Sequence, residues 1–224
     1  MVPLTRGPQP EVLQRHAQAW TQELIEARHT NPAAKPQPRR YGHEAVREAL
    51  RAMSMRKCFY CESAVAPRLG EEVDHYIESS THPALAYDWP NLYLSCHACN
   101  NGKPPHEVIS VRDCVDPCDP LHDPSQHLHF VKEQIVEVPR SSLGVKTIRK
   151  YRLDRLDLDL ARSRYLNKLM DEFVAVSTEM RRAGATVPTE LQRRRLEVFA
   201  SPSRPFSAMM RAQVQRLLDA LDGR

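Results

Sequence analysis

Two cysteine pairs of identical spacing, Cys58-x-x-Cys61 and Cys96-x-x-Cys99, bracket a segment that carries Asp74-His75. A C-x-x-C turn lets two thiolates reach one ion, and two such turns complete a tetrahedral four-sulfur shell, the ligand set of a structural zinc. That shell is closed, so the zinc staples a region too small for a core of its own and takes no part in a reaction. Asp74 and His75 offer different chemistry: a carboxylate for a hard cation, and an imidazole able to take a proton near neutral pH. On a strand, neighbouring side chains face opposite ways, so one of the pair can hold a metal while the other points elsewhere. A second ligand is expected from the helix after the second knuckle, where Asn100 directly follows Cys99. Asn91 lies nine residues earlier, on the preceding strand, and Lys103 follows the metal-binding turn, where it reads equally as a phosphate contact or as a solvated lysine at a helix C-terminus. Cys114 and Cys118, with His122 and His127 nearby, read as ordinary thiols, a second metal site being the less favoured alternative.

These residues need elements to hold them. Residues 72–76, a short run with Val73 apolar, suit a strand, 83–87 suit one helical turn, and 91–95 suit a second strand that runs into the Cys96 knuckle and a short helix. Ahead of them, residues 10–29 place Val12, Leu13, Ala17, Trp20, Leu24 and Ile25 near a helical period, and 43–53 do the same with Val46, Leu50 and Met53. A polar, proline-bearing connection from Asn31 to Arg40 separates the two helices. Residues 104–126 read as loop, and 127–138 as a small hairpin. Helices are then expected over 142–152, 157–183, 188–200 and 206–222, punctuated by Gly184, Pro188, Pro202 and Pro205. Leu166, Leu169, Met170, Phe173, Val174 and Val176 give the longest helix an apolar stripe for core or partner packing. The fold class is therefore α+β, mainly helical. Three regions follow: 1–40, an N-terminal helix and linker; 41–139, the zinc-knuckle core with its hairpin; and 140–224, a basic helical region.

Taken in order, Cys58-x-x-Cys61, Asp74-His75, Asn91 and Cys96-x-x-Cys99-Asn100 resemble an HNH endonuclease, a branch of the ββα-metal (His-Me finger) nucleases. The resemblance implies a ββα-metal core in which His75 is the general base. It also implies that Asp74 and Asn100 ligate a catalytic Mg²⁺ or Mn²⁺, while Asn91 braces the loop between the strands and orients the histidine. Asn100 stands where the family often has a last histidine; its amide oxygen also suits a hard cation. Over roughly residues 40–130, the runs Val73-Asp-His-Tyr76, Leu85-Ala-Tyr-Asp-Trp-Pro-Asn-Leu92, Ser95-Cys-His-Ala-Cys-Asn100 and Asp116-Pro-Cys-Asp-Pro120 are similar to the PtuB family. Its members are HNH subunits of Septu antiphage systems, also found with some retrons. That likeness implies an ABC-type, PtuA-like ATPase as partner and nucleic acid as substrate, DNA ahead of RNA. A zinc-knuckle binding or adaptor module without catalysis is the alternative; it would have no need of Asp74, His75 and Asn100 together.

Composition agrees. The chain has 224 residues, 41% hydrophobic and 27% charged, and its longest apolar runs fall short of the ~18–20 residues of a bilayer span. No apolar segment of signal-peptide type occupies residues 1–20, so a bacterial cytoplasmic location is expected, where cysteines favour metal over disulfides. No glycine-rich phosphate loop is present, which is consistent with the separate ATPase that the resemblance implies. Charge is uneven: residues 140–224 hold 18 Lys and Arg against 10 Asp and Glu, whereas residues 1–139 hold 14 against 18. The basic region suits contact with a polyanion or an acidic protein surface.

Overall fold

A computed structural model describes residues 1–67, 70–102 and 109–223 of the chain. The architecture is mainly helical α+β with two small antiparallel sheets, each of two strands. Helix α1 (Glu11–Thr30) buries Leu13 and Leu24, and α3 (Glu44–Ser54) buries Val46 and Leu50. The turn before α3 is set by His43, whose ring Nδ1 accepts from the Ala45 amide at 3.2 Å. The pair that matters for function is β1 (Glu71–His75) with β2 (Leu92–Cys96), in a register that sets Glu71 opposite Cys96, Asp74 opposite Tyr93 and His75 opposite Leu92. β2 runs directly into the short helix α4 (His97–Asn101).

The hairpin β3 (Leu128–Val131) and β4 (Gln134–Glu137) follows, then α5 (Ser142–Tyr151), α6 (Leu156–Ala183), α7 (Glu190–Glu197) and α8 (Ser207–Leu221). Two glycines shape this half. Gly144 lies so close under the hairpin that a Cβ there would fall 2.2 Å from the His127 carbonyl oxygen. Gly184 ends α6 with φ +63°, a conformation that glycine adopts without a Cβ penalty. Residues from the front helices, the knuckles and the C-terminal helices share one apolar core, from Leu13, Val46 and Phe59 through Leu94 and Tyr151 to Leu169, Leu196 and Met209. No helix among the described residues is long and apolar enough to cross a membrane.

Four details differ from the expectation. The connection after α1 contains a short helix, α2 (Pro38–Tyr41), started by a proline whose fixed φ suits a first helical position. Asn91 closes a 3₁₀ turn (Trp89–Asn91) rather than opening the strand; Pro90 has no N–H for a ladder, so pairing starts at Leu92. The helix predicted over 188–200 stops at Glu197 and tightens into a 3₁₀ turn over Val198–Ala200. Along α6, Leu169 and Val176 are buried, but Met170 and Val174 from the same stripe face solvent. Lys103, with Pro104 and Pro105, lies outside the described residues.

Candidate active site and metal centre

The four knuckle cysteines converge. Their sulfur atoms all lie within 4.8 Å of one another, and Cys61 Sγ is 3.8 Å from Cys96 Sγ. A tetrahedral shell with Zn–S of about 2.3 Å has S···S edges of about 3.8 Å, so the cluster has the size a zinc requires. Hydrogen bonds from Cys58, Cys96 and Cys99 hold the Cys61 thiol well below the usual range, whereas burial pushes Cys58 well above it. Arg155, at the start of α6, brings Nη1 to 3.5 Å from Cys99 Sγ. A guanidinium there offsets part of the negative charge of a tetrathiolate. Among the described residues this is the only group of three or more His, Cys, Asp or Glu close enough to hold an ion.

The first knuckle does more than supply two sulfurs. The Phe59 amide donates to the Leu94 carbonyl at 2.9 Å, which lays the knuckle along β2. The Tyr60 hydroxyl donates to Asp74 Oδ2 at 2.9 Å, and its ring stacks on Tyr151 at 4.0 Å. Glu62 accepts from the Ser207 hydroxyl at 2.6 Å and from the Ala208 amide at 3.1 Å, capping α8. Asp74 is thus buried and oriented from within the zinc loop.

β1 is anchored at its other end by Glu71. Arg51 grips that carboxylate with two bonds of 2.7 Å, and Arg47 adds one of 3.2 Å. Burial alone would raise the Glu71 carboxyl; the two guanidinium groups hold it below its ordinary value. α3 is therefore bolted to the strand that bears Asp74 and His75.

His75, at the end of β1, places Nε2 2.8 Å from the Ala86 carbonyl oxygen. A carbonyl only accepts, so Nε2 carries the proton and the lone pair of the neutral ring lies on Nδ1. Asn91 stabilises the loop that supplies this carbonyl. Its Oδ1 accepts from the Ile77 amide at 2.6 Å, and its Nδ2 donates to Ile77 O at 3.0 Å and Leu85 O at 2.9 Å. Asn91 thereby ties the residues just after His75 to the residue just before Ala86. The Tyr41 ring meets the His75 ring edge-on, with centroids 4.6 Å apart.

Asn100, on α4, donates Nδ2 to Glu72 Oε2 at 2.6 Å; Asn101 Nδ2 reaches the same oxygen at 2.8 Å, and His97 Nδ1 lies 2.6 Å from Oε1. Glu72 and Asp74 are two residues apart on β1 and so project from one face, about 6.6 Å apart along the strand. The structure thus sets Asp74 and His75 side by side at the end of β1, with Asn91 on the loop beyond them; Asn100 is held on Glu72, toward the start of the same strand. It also adds Glu72, Tyr60 and Tyr41, which the sequence reading did not single out. Glu72 was detectable in principle, as an acidic residue in step with Asp74; Tyr60 and Tyr41 gave no local signal.

A strand pair with a following helix, braced by two cysteine knuckles and carrying Asp-His on its first strand, defines an HNH-type site. The comparison with known families agrees: residues 58–105 match the HNH endonuclease family. Over longer stretches the chain is similar to curated relatives. One is the Septu protein PtuB of Bacillus mycoides (strain KBAB4), 31% identical over 158 residues, covering 55% of this chain and 52% of the relative. Another is the Septu protein PtuB of Bacillus thuringiensis, 32% identical over 134 residues, covering 48% of this chain and 49% of the relative. The chain spans about half the length of the curated relatives it matches.

Proposed function

We propose that the chain is a metal-dependent endonuclease that hydrolyses phosphodiester bonds of nucleic acid, DNA ahead of RNA. We also propose that it serves as the nuclease of an antiphage complex with a PtuA-like, ABC-type ATPase, of the Septu or retron-associated kind. The observation that supports this reading most is the fixed imidazole: Ala86 O holds the His75 Nε2 proton, so Nδ1 is the basic nitrogen. A neutral imidazole in that tautomer takes a proton from water as the water oxygen attacks phosphorus. The P–O3′ bond then breaks, and the departing O3′ takes a proton from solvent.

Asp74 and Asn100 offer one carboxylate and one amide oxygen, a donor set suited to Mg²⁺ or Mn²⁺ with positions left for phosphate and water. Bound there, the ion would supply charge neutralisation for the phosphoryl group and the leaving oxygen. Tyr60 keeps Asp74 in place, and Glu72, by taking the amide N–H of Asn100, turns its Oδ1 away from itself. Residues 140–224, with their surplus of Lys and Arg, are the surface proposed to meet nucleic acid or an acidic patch of the ATPase.

The direct test is cleavage of plasmid DNA and of total RNA by the purified chain, with Mg²⁺, with Mn²⁺ and after chelation, with and without the ATPase. Metal-dependent cleavage is the expected result. Absence of cleavage in every condition, with zinc bound and the fold intact, would favour a binding module instead. A finer expectation concerns Glu72→Gln. The Mg²⁺ concentration needed for half-maximal rate should rise about tenfold, as for other groups that orient a metal ligand, while the rate at saturating metal changes less. An unchanged metal midpoint would remove Glu72 from this role.

A further inference from the structure

A cleft of about 540 Å³ opens beside His75 and extends away from it. It is lined by Asp74 and His75, by the loop after β1 at Glu78 and Ser80, and by a second wall made of Lys35 and Pro36 in the α1–α2 connection and Tyr41 of α2. The second wall lies outside the stretch that matches the HNH family, so this chain adds it to the domain. The cleft is built rather than incidental. Arg28 joins the two walls, its Nε donating to Ala34 O and its Nη1 to Ser80 O, each at 2.9 Å. Pro36 and Pro38 restrict the backbone of the added wall, so little order need be gained when something enters.

The lining defines the ligand. The volume falls in the ~300–1,000 Å³ range of clefts that hold small organic groups. The half-buried Tyr41 supplies an aromatic surface, the exposed Lys35 supplies a cation, and the exposed Glu78 repels a phosphate. An aromatic surface, a cation and a proton acceptor together fit one nucleotide next to a scissile phosphate. A base stacked inside a duplex cannot reach such a cleft, whereas an unpaired base can turn in and stack. We propose that this cleft takes one unstacked nucleotide flanking the cleavage point, so that the substrate is single-stranded nucleic acid. The proposal rests on the nuclease reading for the position of the phosphate, but the binding it requires is separate from catalysis.

The test is equilibrium binding of a fluorescent single-stranded oligonucleotide and of the matching duplex, without added divalent metal, read by anisotropy. The wild-type chain should prefer the single strand. Tyr41→Ala should weaken single-strand binding about tenfold, the loss of one aromatic stacking contact, and Tyr41→Phe should retain it. Lys35→Gln, at an exposed position, should weaken binding and lower its salt dependence by about one ion. Equal or tighter binding of the duplex, or unchanged single-strand affinity in Tyr41→Ala and Lys35→Gln, overturns the proposal. The two readings can fail separately. Cleavage of duplex with no effect of the cleft variants rejects the cleft and keeps the nuclease. Single-strand binding that follows the variants, without cleavage in any metal, keeps the cleft and rejects the nuclease.

Discussion

Cys58→Ser should yield a chain that neither retains zinc nor folds. Cys58 is buried, and a serine hydroxyl does not ionise near neutral pH to replace the thiolate. Structural zinc contributes about 10–16 kcal/mol of apparent binding free energy in small zinc domains, comparable with the ~5–15 kcal/mol total stability of an ordinary protein. Here the loss would spread. The first knuckle pairs with β2 through Phe59, orients Asp74 through Tyr60 and caps α8 through Glu62. The measurements are zinc content by mass spectrometry of the metal, near-ultraviolet circular dichroism and resistance to limited proteolysis. Zinc-free, protease-resistant protein with a native spectrum would contradict the prediction.

His75→Ala should do the opposite, leaving the fold and zinc content intact while removing cleavage. The side chain is half-buried at the end of β1, and its Nε2 bonds a main-chain carbonyl rather than the zinc-knuckle cysteines. General-base catalysis contributes about 10²–10⁴ in rate, and a loss of at least about 10² in single-turnover rate is expected. Zinc content and the thermal midpoint should stay close to wild type. Activity near the wild-type level, or loss of zinc from the variant, would remove His75 from the role of base.

The contrast between the two variants reflects what the sequence made legible. The zinc site can be read from the chain because each pair of ligands is separated by two residues; local spacing alone makes each half of the shell. The strands and most helices were legible because apolar periodicity reports which face of an element is buried. Periodicity does not report what lies opposite. Tyr60 meets Asp74 from 14 residues away, and Asn100 meets Glu72 across 28; both depend on a register that no local pattern encodes. Tyr41 reaches His75 only because α2 forms within a stretch whose prolines suggest an irregular link. The exposed side chains of Met170 and Val174 show the limit from the other direction, since a stripe wider than its contact leaves part of itself in water.

The bond between His75 and the carbonyl of Ala86 has a bearing on how this site tolerates sequence drift. The acceptor belongs to the main chain, so no substitution of the side chain at position 86 deletes it. Inheritance of the tautomer is therefore carried by the path of the loop, and that path is tied by Asn91 and by the 3₁₀ turn at Pro83–Leu85. The orientation of the ring is thus a property of the loop's backbone path, with one asparagine as its clasp.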